Sequence, residues 1–109
     1  MMWLHDLAYF LGGAFLANAV PHYVSGTMGR SFQSPFAKPP GRGLSSATVN
    51  VLWGFANLAF AYGLILRVGQ FDVRATDQIA SLGMGLFLMG VMTARTFGSF
   101  HGGNVPVGS

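Results

Sequence analysis

Three stretches of this 109-residue chain, 7–29, 44–66 and 78–94, contain no Asp, Glu, Lys or Arg, and most of their residues are apolar. About 20 mainly apolar residues suffice for an α-helix to cross a hydrocarbon core, and a helix satisfies its own backbone hydrogen bonds there. The pattern predicts an all-α, polytopic membrane protein, with residues 1–109 forming a single domain. Three transmembrane helices at about 4–22, 44–66 and 76–97 would pack as a compact bundle, with a long loop at 25–43 and a tail at 101–109.

Within the spans, small and amide residues recur at helical spacing. In the first, Gly13 and Ala17 make a small-xxx-small pair that lets a second helix approach, Asn18 and His22 lie one turn apart, and Pro21 is expected to end or kink the helix. The second carries Ala47, Asn50, Gly54, Asn57 and Ala61 at steps of three and four, a seam that stops where the next step lands on Leu64. Trp53 and Phe60 point away from that seam. In the third, Gly83, Phe87, Gly90, Ala94 and Phe97 repeat the device.

The loop at 25–43 is long for a helix-to-helix connection, where about two to eight residues are usual. Pro39-Pro40 stiffens it, Gly26, Gly29, Gly41 and Gly43 permit sharp turns, and Phe32 and Phe36 suit burial at a membrane surface. The second connection, 67–76, is short and polar. The Gly-containing tail reads as flexible on composition.

Composition agrees with the windows: 51% of residues are hydrophobic and 8% charged, with a mean hydropathy of +0.48. The six Lys and Arg residues outnumber the three Asp, but they are scattered between the spans, which is no nucleic-acid footprint. Without Cys the fold owes nothing to disulfides or thiolate metal sites, and the redox compartment is left open. Ala17-Asn18-Ala19 has the form of a signal-peptidase site, yet the segment before it has no Lys or Arg and carries Asp6, so the first span is expected to remain. Arg30, Lys38, Arg42 and Arg95 fall on one side and only Arg67 and Arg74 on the other. The positive-inside rule therefore predicts a multi-pass protein of the cell membrane, with the N-terminus outside and the C-terminus cytoplasmic.

Few residues carry candidate chemistry. His22 and His101 fall on the same predicted side and form a possible haem-ligating pair, although His at helix ends is more often interfacial or capping. His22, Tyr23 and Arg95 make a loose quinone pocket with no spacing that singles it out. Asn18, Asn50 and Asn57 are polar groups at membrane depth, which calls for a partner or a polar pathway; interhelical hydrogen bonds are the simpler account. Gly54, Gly83 and Gly90 accompany them as packing positions. Arg30, Lys38, Arg42 and Arg95 form a cationic rim suited to lipid headgroups or another anion. Asp77 suits the first turn of the third helix. No recognisable enzymatic motif or metal-ligating pattern occurs, so neither catalysis nor a bound cofactor is expected.

The run Gly12-Gly13-Ala14, the segment Thr48-Val49-Asn50-Val51-Leu52 and Thr96-Phe97-Gly98-Ser99-Phe100 after a Gly-rich span resemble the small dual-topology fluoride channels. That resemblance implies Asn50 as a polar pore residue, and Thr96, Phe97 and Phe100 as part of an anion-lining break in the third helix. His22 stands near the place of that family's Arg, the repeated Thr-Thr-Phe is incomplete, the first connection is longer, and no fourth span follows Phe100. The leading expectation is a small accessory subunit, surrounded by membrane lipids, that assembles with itself or with other membrane subunits through its Gly, Ala and Asn seams. An oligomeric anion or small-molecule channel and a haem- or quinone-binding anchor are the alternatives.

Overall fold

The computed structural model describes residues 2–106. Its elements are helix α1 (Met2–Thr27), strand β1 (Phe32–Gln33), strand β2 (Leu44–Ser45), helix α2 (Ala47–Leu66) and helix α3 (Thr76–His101). The helices run up, down and up, and the strands form one short antiparallel ladder, Phe32 opposite Ser45 and Gln33 opposite Leu44. α1 packs against both α2 and α3, which scarcely touch each other among the described residues. The result is a flat molecule, 43 × 34 × 22 Å, with α1 in the middle.

α2 and α3 are long and apolar enough to cross a membrane, with mean hydropathies of 1.6 and 1.4 over their best windows. α1 is long enough, but His5, Asp6, Asn18 and His22 lower its average. Its boundaries also differ from the expectation. The helix continues through Pro21 to Thr27, because His22 and Gly26, one and five residues beyond the proline, are held against α2. It ends in a Schellman arrangement: Gly29 has φ +76°, its N–H bonds to Gly26 O and the Arg30 N–H reaches Ser25 O at 2.9 Å. α2 starts later than predicted, at Ala47, where the Ser46 side chain accepts from Val49 N. α3 runs unbroken past residue 97 to His101 and stops at Gly102, whose φ is +75°. The third-helix break implied by the channel resemblance is therefore not part of this helix.

Close approach between helices depends on glycine at particular points. A Cβ on Gly54 would collide with the Tyr23 backbone, and one on Gly26 with the Ala47 carbonyl, which draws α1 and α2 together. On the other face of α1, Gly13 lies against the backbone of Leu82 and Leu86, and reciprocally Gly85 lies against Phe10 and Ala14. The face that α2 buries is Asn50, Gly54, Asn57, Ala61 and Ile65. For α3 the packing glycine is Gly85, not Gly83 or Gly90, around which a Cβ would meet nothing within 4 Å. Phe87, on the expected seam, is 62% exposed. Two glycine registers were possible on this helix, and the reciprocal fit of Gly13 and Gly85 selects one.

The first connection is an ordered cap. Ser34 is buried; its hydroxyl bonds Ser45 Oγ at 2.6 Å and accepts from Phe36 N, while its carbonyl accepts from Gly41 N at 2.8 Å. Residues 102–106 fold back on the end of α3, where Asn104 Nδ2 donates to Arg95 O and its Oδ1 lies against Gly98. The remainder of the tail expected to be flexible, residues 107–109, lies outside the described residues.

Candidate functional site

Where α1 ends and α2 begins, the polar residues of the two helices meet under the cap. Asn50 is fully buried, and its Nδ2 faces three carbonyl oxygens, Phe32 O at 3.0 Å, Ser45 O at 3.3 Å and Ser46 O at 3.2 Å. This surrounding fixes the amide, because only the NH2 side can face carbonyls. Its Oδ1 is left for His22 Nδ1, 2.8 Å away, so Nδ1 carries the proton of that bond. One turn deeper, Asn18 Nδ2 donates to Asn57 Oδ1 at 3.0 Å, and Asn57 Nδ2 donates to Trp53 O at 2.8 Å. Two amide-centred bonds thus join α1 to α2 along one face.

Aromatic rings enclose the imidazole. Phe32, Phe97 and Trp53 all present edges or faces to His22 in T-shaped contacts, with centroids at 5.6, 5.6 and 6.4 Å. Phe32 also stacks on His101 at 5.1 Å, and His101 Nε2 bonds Gln33 Oε1 at 2.9 Å. The end of α3 is thereby tied to the cap. His22 and His101, the pair of the haem reading, are brought to one region, but the Phe32 ring contacts both and each imidazole is committed to an amide oxygen. Tyr23 points outward at 39% exposure, away from any pocket with His22. Among the described residues no group of three or more His, Cys, Asp or Glu is placed to hold a metal ion.

A cavity of about 210 Å3 opens beside His22, lined also by Asn18, Gln33, Ser34, Trp53 and Thr96. The buried Trp53 Nε1 has no hydrogen-bond partner. Its lining offers donors and acceptors but no ionic group, which suits water or a small neutral molecule. Gln33 and Ser34 were not signalled by the sequence, since two polar residues in a Pro- and Gly-rich loop carry no periodicity. Arg30, Lys38, Arg42 and Arg95 surround this end of the molecule and are exposed. Gly83 and Gly90 lie apart from it on the open side of α3; Gly90 lines an apolar groove of about 440 Å3 with Ala17, Val20, Leu86 and Ala94.

The opposite end holds a second polar cluster, formed where α1 and α3 begin. His5, Asp6, Tyr9, Gln70, Asp77 and Gln78 line a cavity of about 460 Å3. Asp6 precedes the uncharged run that starts at residue 7. Its carboxyl lies within hydrogen-bonding reach of Asp77, with His5 beside it. Asp77, expected to serve only the helix start, also faces Asp6.

Comparison of the chain with protein-family models, curated proteins and solved structures finds no match, and so no family, relative or structural neighbour points to catalysis.

Proposed function

We propose that the chain is a small integral membrane subunit whose three helices all cross the bilayer and whose uncovered faces assemble with copies of itself or with other membrane subunits. The observation that carries this reading is the state of α3: among the described residues α1 is the one helix it packs on extensively, its last turns touch the cap, and only 6% of its membrane-length window is buried within the chain. A helix left open in this way, with Gly83 and Gly90 free of neighbours and an apolar groove beside Gly90, offers the close-approach surface that helices use in lipid. On this reading the Asn18–Asn57 and His22–Asn50 bonds are internal fastenings. They hold α1 to α2 so that α3 is presented at a constant angle.

Purification in mild detergent tests the proposal. A defined oligomer or a reproducible set of partner subunits is expected, and Gly90→Leu should disperse it while the protomer stays folded, because that position is open. A lone, monodisperse wild-type monomer would overturn the assembly role.

A further inference from the structure

The starts of α1 and α3 converge beside the connection from α2, and the six polar residues around the resulting cavity include two carboxylates contributed by different helices. Asp6 Oδ1 is buried without a hydrogen-bond partner. Tyr9 supplies an independent sign that something is bound here. Its side chain is fully buried (0% exposed) and lines the cavity, yet its hydroxyl also lacks a partner. The hydroxyl is held near Gly69 and His5: a Cβ built on Gly69 would lie 2.6 Å from Tyr9 Oη and 2.9 Å from His5 Nδ1. The Tyr9 ring is fixed there by an edge contact with Phe71, centroids 5.0 Å apart. A buried phenol with no partner is uncommon, and such groups call for an explanation by water or an ion.

We propose that this cavity binds a hard divalent cation that retains part of its water shell, with Asp6 and Asp77 as the charged ligands and the Tyr9 hydroxyl hydrogen-bonded to the bound water. Facing carboxylates set the sign of the ligand. Oxygen donors suit Mg2+ or Ca2+ over softer metals. The space of about 460 Å3 is far larger than a bare ion, and only two acids are present, so water must complete the coordination. Bound there, the cation bridges α1 to α3 at the end away from the His22–Phe97 ring contact, adding to the Gly13 and Gly85 backbone approach. The first-turn amides of α3 offset some of the negative charge of Asp77, which with only two acids places the affinity in the weak range, about 10⁻⁴–10⁻³ M.

The full-length chain in non-ionic detergent is titrated with MgCl2 or CaCl2 against choline chloride of equal ionic strength, and the thermal unfolding midpoint is read. A saturable upward shift is expected with the divalent salts only. It should vanish in Asp77→Asn, an exposed position whose replacement leaves the chain able to fold. Asp72→Asn, on the neighbouring connection, should retain the shift. In Tyr9→Phe the apparent affinity should fall about tenfold, as loss of an outer-shell partner does. No shift beyond choline, an equal shift in Asp77→Asn, a shift lost equally in Asp72→Asn, or unchanged affinity in Tyr9→Phe would each overturn the proposal.

Discussion

Replacing Asn50 with Leu removes the acceptor of His22 and the side-chain donor to Phe32 O, Ser45 O and Ser46 O, of which Ser46 O keeps the backbone N–H of residue 50, whereas Asn57→Leu breaks one interhelical bond and one bond within α2. Interhelical hydrogen bonds in membranes contribute about 0.6–2 kcal/mol, and stranding a buried acceptor adds about 1–3 kcal/mol. Asn50→Leu is therefore expected to destabilise the chain by about 2–4 kcal/mol and Asn57→Leu by about 1–2 kcal/mol, measured by reversible unfolding in detergent. Equal losses would show that the cap does not depend on Asn50. The importance of the Asn residues was legible because an amide within an apolar run must find a partner. Which carbonyls Asn50 would face was not, since Phe32 O and Ser45 O come from a loop whose path depends on Ser34 and on the ladder between β1 and β2.

Among the elements, α2 was the easiest to read and α3 the hardest. On α2 the small and amide residues lie at helical spacing from Ala47 to Ala61, so only one face can be the seam, and the structure extends it to Ile65. On α3, glycines occur at 83, 85, 90 and 98, and periodicity favours 83 and 90. The packing face is set by contact with Gly13, a residue 72 positions from Gly85 by subtraction of their numbers, which no local pattern contains. Gly85→Leu is thus expected to prevent α1–α3 docking and abolish recovery of folded protein, while Gly83→Leu leaves the monomer's unfolding midpoint nearly unchanged. Circular dichroism melts of the two variants decide it: similar behaviour would mean that α3 is docked by a different face. The full extent of α1 was obscured by Pro21, which removes one backbone donor but does not stop a helix whose next turn is fastened at His22 and Gly26.

On the scale of the molecule, three helices with α1 between the others leave two chemically distinct ends. One carries the cap, the His22–Asn50 pair and Arg30, Lys38, Arg42 and Arg95; the other carries Asp6, Tyr9 and Asp77. If the bundle crosses the membrane as proposed, the first end faces the cytoplasm under the positive-inside rule. A reporter domain fused after Ser109 should be active in the cytoplasm and inactive in the compartment outside. The reverse result would invert the molecule and place the acidic cavity inside.

What the sequence determined by itself was the number of helices, their apolar character and the amide face of α2, because these follow from charge-free length and from a repeat near 3.6 residues, both local properties. Tertiary structure alone decided the rest: that α1 is central, that Gly85 rather than Gly83 meets it, that the loop folds inward to give Asn50 its carbonyl partners, and that Asp6 and Asp77 share a cavity. Each of these joins residues far apart in the chain. Their positions depend on which backbones approach most closely and which buried polar atoms find partners, and only the packed molecule satisfies both conditions together.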